Sequence, residues 1–355
     1  MNSLVDRAFS TASSNNYDSR TAGVSQESVD DDELRKLVES IQIRISIIGC
    51  GGGGSNTIHR LTTAGVAGAT LVAANSDARH LLNIQAPNKI LLGKLTTKGL
   101  GAGAIPEVGR SSAEEAQEDI RKYIDGRQVV FVTAGMGGGT GTGSAPYVAE
   151  IAKRYGALTL GIVTMPFKSE GKMRMDNARK GLERLQQSCD TTIVILNDQL
   201  LKLVPKLPLE AAFKVADEVL MHGIRGITEI ITKPGLVNVD FNDINTIMKN
   251  GGMAIIGMGE SSDDSDRVSQ AVHEALNSPL LGDIDMASAK GAMIRVQGGP
   301  DMTVSEAEKA AEMVSSRLSS RARIIWGCSI EPELKGKVRL LVVITGVKSS
   351  MFPSK

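Results

Sequence analysis

Short apolar runs alternate with segments of helical spacing along the first half of the chain. The runs predict six strands, at residues 43–49, 69–77, 89–93, 128–134, 157–167 and 191–196. Between them, apolar positions three and four residues apart predict helices at residues 55–65, 112–126 and 173–188 and from Ala145 onward. Strands that are apolar at nearly every position and alternate with helices are typical of a parallel sheet covered on both faces. We therefore predict an α/β fold with a Rossmann-like, doubly wound parallel sheet.

A long apolar helix is predicted over residues 209–232, where the following Pro234 and Gly235 end it. Its apolar positions recur every three or four residues, and its opposite side is only partly polar. A helix so long and so apolar is expected to pack between two domains. Beyond it, residues 254–348 follow the order strand, helix, strand, helix, strand, strand, which predicts a second, smaller α+β domain.

Charge and composition exclude several functional classes. The 40 lysine and arginine residues balance 40 aspartate and glutamate residues, so no long-range field favours nucleic acid or an acidic membrane surface. The three cysteines show neither disulfide nor zinc spacing, as is usual in a reducing cytoplasm. No apolar run approaches the roughly 20 residues of a membrane helix. We expect a cytoplasmic protein that neither inserts into a membrane nor binds nucleic acid.

The first glycine-rich stretch, "GCGGGGSN" at residues 49–56, directly follows a predicted strand. It contains the dinucleotide-binding spacing Gly49-x-Gly51-x-x-Gly54, and Asp77 ends the next strand, where a ribose-binding acid would lie. On this fingerprint alone, an NAD-dependent oxidoreductase is a reasonable interpretation. The signal is weak, because four consecutive glycines satisfy many templates.

The second stretch, "GMGGGTGTGSAP" at residues 135–146, argues against the dehydrogenase interpretation, since a Rossmann half needs only one phosphate turn. Its backbone N–H groups can surround an oxyanion, and the following helix directs its positive end to the same place. Thr140, Thr142 and Ser144 add hydroxyl groups able to bond phosphate oxygens. No lysine accompanies these glycines, so a polyphosphate would be met by amides, helix dipoles and a metal ion.

These stretches, with five further motifs in order, resemble the tubulin/FtsZ family of GTPases over residues 43–347. The FtsZ branch is a closer match than the tubulin branch, and the N-terminal extension resembles archaeal members. The motifs are "GCGGGGSN" (49–56), "NSD" (75–77), "GLGAGAIPEVG" (99–109), "GGGTGTGSAP" (137–146), "TMPFKSEGKMR" (164–174), "ND" (197–198) and "NVDFNDI" (238–244). The resemblance implies the tubulin/FtsZ fold, binding of GTP or GDP with Mg²⁺ held largely through the phosphates and water, and use of a monovalent cation.

The resemblance divides the chain into six parts. They are a disordered N-terminal extension with a short helix (1–40), a GTP-binding domain (41–208), a central connecting helix (209–233), a catalytic loop with the following helix (234–253), a C-terminal α+β domain (254–348) and a short tail (349–355).

The nucleotide contacts implied by the resemblance fall into three groups. The phosphates would contact Gly51, Gly52, Gly53, Gly54, Ala102, Gly103, Ala104, Gly137, Gly138, Gly139, Thr140, Gly141, Thr142 and Gly143. The ribose would contact Glu170, Arg174 and Pro166, although an exposed salt bridge is the ordinary interpretation of such a charged pair. The guanine would contact Asn56, Phe213, Asp217 and Asn197. Phe213 and Asp217 lie four residues apart, hence on one face of the long helix.

The segment "NVDFND" has two interpretations. From the residues alone, Asp240 and Asn242 are good N-caps for the helix that follows, and capping is the favoured one. The resemblance implies instead that Asp240 and Asp243, supported by Asn238, act in trans on GTP bound to the neighbouring subunit. Such head-to-tail contacts need not close, so they build filaments.

The resemblance thus implies a self-assembling GTPase of the cell-division ring, with copies of itself and membrane-anchoring proteins as partners, located at mid-cell. The alternatives are a nucleotide-binding scaffold with little hydrolysis and, more remotely, the NAD oxidoreductase. FtsZ proteins usually end in a linker and an anchoring peptide, whereas here the last predicted strand is followed by "KSSMFPSK". Truncation, a partner that binds a short tail, and anchoring through the N-terminal extension remain open.

Overall fold

A computed structural model of the chain describes residues 42–203, 209–232, 239–262, 266–282 and 284–349. The strands in this part of the chain are β1 (Ile45–Cys50), β2 (Ala69–Asn75), β3 (Asn88–Leu91), β4 (Val129–Gly135), β5 (Leu158–Met165), β6 (Thr191–Leu196), β7 (Gly252–Ser261), β8 (Ile284–Asp285), β9 (Gly291–Gly298), β10 (Arg323–Ile330), β11 (Val338–Thr345) and β12 (Lys348–Ser349). The α-helices are α1 (Gly51–Thr63), α2 (Ala78–Asn83), α3 (Pro106–Glu115), α4 (Gln117–Arg121), α5 (Thr140–Arg154), α6 (Lys172–Ser188), α7 (Asn197–Leu203), α8 (Leu209–Thr232), α9 (Phe241–Met248), α10 (Arg267–Leu276) and α11 (Val304–Ser315).

Among the described residues, ten strands form one sheet in the order β10-β9-β11-β7-β6-β5-β4-β1-β2-β3. The six strands from β3 to β6 are all parallel, which confirms the predicted doubly wound α/β sheet. β7 continues this sheet by pairing with β6 over only three residues, Thr191 to Ile193. β11 then runs antiparallel to both β7 and β9, as expected for an α+β region. The predicted boundary of a separate domain at residue 254 stays a prediction, since the two regions share this sheet.

The two faces of the sheet carry separate hydrophobic cores, because side chains along each strand alternate between them. Ile47 of β1 and Phe131 of β4 belong to one core, and their neighbours Ile48 and Val132 belong to the other. The long helix α8 contributes to the first core, together with residues of β1 and of β11. The predicted helix is therefore confirmed over Leu209–Thr232, whereas its place between two separate domains stays a prediction.

Three helix boundaries differ from the predictions. α1 begins at Gly51 and α5 at Thr140, so both glycine-rich stretches include the first turn of a helix and do not merely precede it. The helix predicted over 112–126 was wrong in its bounds, because α3 begins at Pro106 and α4 follows only after Ala116. Proline is well suited to the first turn, where its missing N–H has no partner in any case.

Within the described residues, every helix is too short or too polar to cross a lipid bilayer.

Candidate nucleotide-binding site

The two glycine-rich loops lie side by side because the strands that carry them are neighbours. β1 pairs with β4 in parallel register, with Cys50 opposite Ala134, so the loops after both strands leave the same edge of the sheet. Gly51 has a φ of +70°, and a Cβ atom there would lie 2.6 Å from the backbone nitrogen of Gly141. The two backbones are therefore in direct contact, and only glycine fits between them.

A cavity of about 410 Å³ opens over these loops. It is lined by Gly52, Gly53, Asn56, His80, Gly135, Met136, Gly138, Gly139, Thr140, Gly141, Thr164, Pro166, Glu170, Arg174, Asn197, Phe213, Ala216 and Asp217. The structure thus brings together phosphate, ribose and guanine candidates that are more than 160 positions apart in the sequence. The other phosphate candidates lie outside this lining, and they are Gly51, Gly54, Ala102, Gly103, Ala104, Gly137, Thr142 and Gly143.

The three hydroxyl groups expected at the phosphate end differ in where they are placed. Thr142 is buried, and its Oγ1 accepts the backbone N–H of Gly137 at 2.8 Å. Ser144 is also buried, and its hydroxyl donates to the carbonyl of Thr140 at 2.6 Å. Only the hydroxyl of Thr140 belongs to the cavity lining, where it lies within hydrogen-bond distance of the Ser76 hydroxyl. Through these hydrogen bonds, Thr142 and Ser144 stabilise the conformation of the glycine-rich loop and the first turn of α5.

The third glycine-rich loop lies beside the phosphate end without lining it. Gly103 and Ala104 both have positive φ values, of 56° and 59°. Asn177 of α6 donates to the carbonyl of Ala104 at 3.1 Å, and the N–H of Gly101 donates to the carbonyl of Ser76 at 3.1 Å. Ala102 is buried, whereas Gly103 is exposed. The loop is thus attached at both ends, with its exposed tip next to the cavity.

At the opposite end of the cavity, an exposed aromatic ring is held by a buried one. Phe213 of α8 is 38% exposed, while Phe167 is 1% exposed. Their ring centroids are 5.0 Å apart with an interplanar angle of 85°, an edge-to-face contact that aromatic pairs favour. Phe167 was not identified from the sequence as a functional residue. Its position in the "TMPFKSEGKMR" motif was the available signal.

Two polar side chains face this aromatic end from different elements. Asn197, at the start of α7, is 4% exposed, and its Oδ1 has no hydrogen-bond partner among the described residues. Asp217 of α8 is also largely buried, and burial raises the pKa of its carboxyl group to about 6. The nearby Arg60, whose Nε lies 3.6 Å from Asp217 Oδ2, opposes that rise. A buried acceptor without a partner is costly, so this end is suited to a ligand that supplies hydrogen-bond donors.

Glu170 and Arg174 form the ion pair that their spacing of four residues suggests. The pair is not simply a solvated one, because the Glu170 side chain is 13% exposed and its Oε1 accepts the Phe167 N–H at 2.9 Å. Both residues line the cavity, together with residues of the two glycine loops and Phe213.

The two aspartates of the "NVDFND" segment lie away from the cavity. Asp240 is the N-cap of α9, and its Oδ1 accepts the N–H of Asn242 at 2.7 Å, so the capping interpretation is confirmed for Asp240. It was wrong for Asn242, which lies within the first turn of the helix because α9 begins at Phe241. Asp240 and Asp243 are exposed, and neither lines the cavity. Asn238 lies outside the described residues. In the described ranges no three His, Cys, Asp or Glu side chains are grouped to hold a metal ion.

Comparison with known proteins agrees with this geometry. The family model described as "Tubulin/FtsZ family, GTPase domain" matches residues 44–205, and that described as "FtsZ family, C-terminal domain" matches residues 252–348. The chain is 50% identical over 349 residues to "Cell division protein FtsZ 1" of Archaeoglobus fulgidus, which covers 98% of this chain and 94% of the relative. It is 49% identical over 346 residues to the protein of the same name from Pyrococcus horikoshii, which covers 98% of this chain and 92% of that one.

Among solved structures, an "FtsZ dimer, empty" from M. jannaschii matches with a TM-score of 0.85 and 52% identity, over 90% of this chain and 92% of that one. The GTPase interpretation of the glycine loops is thereby supported over the NAD oxidoreductase alternative. The chain belongs to the tubulin/FtsZ family of GTPases and, within it, to the FtsZ proteins of archaea.

Proposed function

We propose that this GTPase binds GTP in the cavity above β1 and β4 and hydrolyses it between subunits of a head-to-tail filament. The filament would build the cell-division ring, and a role in cell division is what the names of the relatives state for them. The observation that carries the proposal is the separation between the nucleotide cavity and the exposed aspartates Asp240 and Asp243.

The lining of the cavity offers a proposed contact for each part of GTP, namely its phosphates, its ribose and its base. Backbone N–H groups of the two glycine loops and the Thr140 hydroxyl would hold the phosphates, aided by the positive ends of α1 and α5. The paired Glu170 and Arg174 would contact the ribose. Phe213 would stack on the base, with its ring fixed by Phe167.

Recognition of guanine would use three acceptors at the aromatic end. Guanine presents two donors on one edge, its N1–H and its exocyclic amine, and the carboxylate of Asp217 can accept both. The unpartnered Oδ1 of Asn197 offers a further acceptor, and Asn56 lines the same cavity from α1.

Few side chains of the described cavity lining could activate water, and the titratable ones other than arginine are His80, Glu170 and Asp217. Its lining carboxylates are Glu170, which is paired with Arg174, and Asp217, which lies at the base end. The phosphate end is lined by glycines and Thr140, with no carboxylate among the described lining residues.

His80 of the lining contacts the side chain of Asn75 at 3.2 Å. In our proposal the carboxylates that activate the attacking water are the exposed Asp240 and Asp243, which would enter another subunit's cavity.

The phosphate charge would be balanced by Mg²⁺ held mainly through phosphate oxygens and water. This agrees with a phosphate end made of amides and one hydroxyl, which offers the cation few protein ligands. When bound, Mg²⁺ supplies charge neutralisation on the transferred phosphoryl group. A monovalent cation would assist, and membrane-anchoring proteins would attach the filament at the division site in the cytoplasm.

The experiment separates capping by Asp240 from catalysis by Asp240. Asp240→Asn keeps a side-chain oxygen that caps α9 but removes the carboxylate, whereas Asp240→Ala removes both. We expect both variants to bind GTP like the unaltered protein and both to lose at least about a hundredfold of turnover, which is typical for loss of a general base.

Hydrolysis retained by Asp240→Asn and lost only in Asp240→Ala would show that Asp240 acts through the helix cap. The carboxylate of Asp240 would then not be required for hydrolysis, and another group would have to activate the water. Turnover per subunit should also rise steeply with protein concentration, and turnover independent of concentration would contradict a site shared between subunits.

A further inference from the structure

We propose that Arg60 is a specificity-determining residue, which keeps the carboxyl group of Asp217 ionised and oriented toward guanine without touching the nucleotide. The inference rests on the proposed binding of GTP in the cavity. It assigns Arg60 as a positioning residue, because it does not line the nucleotide cavity.

Arg60 reaches Asp217 from a neighbouring helix. It lies on α1, one turn after Asn56, and α1 packs against α8, which carries Asp217. Its Nε is 3.6 Å from Asp217 Oδ2, and its Nη1 donates to Glu218 Oε1. Glu218 therefore holds the far end of the guanidinium group while the near end faces Asp217. At 3.6 Å the contact is electrostatic, so the lone pairs of Asp217 stay available for a base.

Arg60 and Asp217 both line a second cavity, which adjoins the nucleotide cavity. This cavity, of about 660 Å³, is lined by Asn56, His59, Arg60, Thr63, Ala64, Phe213, Lys214, Asp217, Glu218 and Met221. It shares Asn56, Phe213 and Asp217 with the nucleotide cavity. Asp217 thus lines both cavities, whereas Arg60 lines only the second one.

The chemistry of guanine makes the ionisation of Asp217 decisive. A carboxylate accepts from both N1–H and the exocyclic amine, whereas a protonated carboxyl group turns one acceptor into a donor that faces another donor. Burial raises the pKa of Asp217 to about 6, and the charge of Glu218 adds to the rise. Arg60 opposes both, so it holds the ionised form at neutral pH.

The other charged and titratable groups around Asp217 come from several elements. His59 of α1 and Lys214 and Glu218 of α8 line the second cavity, and His80, Glu170 and Arg174 line the nucleotide cavity. Of the surrounding groups, Arg60 is the one whose charge stabilises the ionised form of Asp217 most.

The test is a pH series of GDP dissociation constants, since GDP binding by dilute subunits reports the pocket without hydrolysis. The proteins are the unaltered chain, Arg60→Gln, Arg60→Lys, and the control Arg267→Gln. Arg267 is a matched control because it also pairs with two carboxylates, Asp301 and Glu306, but lies far along the chain on α10. Inosine diphosphate, which lacks the exocyclic amine, is measured alongside GDP.

We expect the unaltered chain and Arg267→Gln to lose GDP affinity only as the pH falls through about 6. In Arg60→Gln the same loss should begin at higher pH. A rise of about one pKa unit would make GDP bind roughly twofold more weakly at pH 7 and about fivefold more weakly at pH 6, with recovery toward pH 8.5. Its preference for GDP over inosine diphosphate should shrink at pH 7. Arg60→Lys should restore most of the affinity.

Two results would overturn the inference. One is an Arg60→Gln profile that matches the unaltered chain, and the other is a loss of equal size at every pH, which indicates a merely structural role. Failure of the proposed function is distinguishable, because the unaltered chain would then show no preference for guanine nucleotides at any pH.

Discussion

The two ends of the nucleotide cavity are built from different materials. The phosphate end is made of backbone, with glycines so close that Gly51 and Gly141 almost touch. The base end is made of side chains, each supported by a neighbour: Phe213 by Phe167, and Asp217 by Arg60. Where the backbones of the two loops are in contact, an added side chain would force the backbone to shift, whereas a site formed by side chains can lose one contact and keep the rest. The phosphate end should therefore respond to mutation abruptly and the base end gradually.

The largest expected effect is at a glycine where the two loops meet. A Cβ atom at Gly54 would overlap the carbonyl of Thr133 on β4 and lie 2.7 Å from the carbonyl carbon of Gly49. Because all these atoms are backbone, they cannot move aside, and Gly54→Ala should cost about 3 kcal/mol of unfolding free energy or more. Thermal or denaturant unfolding without nucleotide measures the loss.

The matched control is Gly138→Ala, in the second loop. A Cβ atom there meets nothing within 4 Å, and Gly138 lines the cavity, so the methyl group would occupy space proposed for phosphate. This variant should unfold like the unaltered chain but bind GTP about 10- to 100-fold more weakly. Equal unfolding free energies of Gly54→Ala and Gly138→Ala would show that the backbone contacts around Gly54 do not make that position intolerant of a side chain.

At the base end, Phe213→Leu should give a graded effect. Leucine keeps apolar contact with Phe167 but removes the flat ring, and stacking of a base on an aromatic side chain is worth about 1–3 kcal/mol. We expect GDP to bind roughly tenfold more weakly, with unchanged preference for guanine over hypoxanthine. A change of that preference would mean that Phe213 does more than stack.

The smallest effect expected is on stability, at Asp217. Its pKa is raised in the folded chain from 3.8 to about 6, so the folded state retains a proton between those values that the unfolded state releases. Ionisation above about pH 6 therefore lowers stability, and Asp217→Asn, which carries no charge, should be more stable than the unaltered chain by about 1–3 kcal/mol at pH 7.5.

That difference in unfolding free energy should decrease as the pH falls from about 6 and vanish below about pH 3.8, where Asp217 is protonated in both the folded and the unfolded state. GDP binding by Asp217→Asn should be weaker at pH 7.5, because an amide accepts only one of the two guanine donors in place of both. An Asp217→Asn protein that is less stable at every pH would show instead that the ion pair with Arg60 stabilises the fold.

The sequence allowed the parallel sheet and both glycine loops to be predicted, because buried strands and clustered glycines leave strong local patterns. It did not allow the starts of α1 and α5 to be placed, since glycine is a poor helix former and only the tertiary contact keeps it helical there. The residues that contact Phe213 and Asp217 at the base end were also not identified from the sequence. Phe167 and Arg60 act through spatial neighbours on other elements, and no local pattern joins them to Phe213 and Asp217.

The "NVDFND" segment also shows that a sequence predicts local roles better than roles that depend on distant partners. The local rule for an N-cap was confirmed at Asp240. A catalytic role, in contrast, depends on a second molecule, which neither the local pattern nor the fold of one chain contains. Both roles are compatible, because the helix cap uses only Oδ1 of the Asp240 carboxylate.

Mixing two inactive variants tests most directly whether the site is shared between subunits. Asp240→Asn has an intact cavity and an inactive loop, whereas Gly138→Ala has an impaired cavity and an intact loop. In a head-to-tail copolymer of equal parts, roughly a quarter of the contacts join an intact cavity to an intact loop. At a GTP concentration that saturates the unaltered cavity but not that of Gly138→Ala, each variant alone should hydrolyse little, and GTP turnover of the mixture should recover to about that fraction of the unaltered rate. Turnover of the mixture no higher than the mean of the two variants alone would contradict the account.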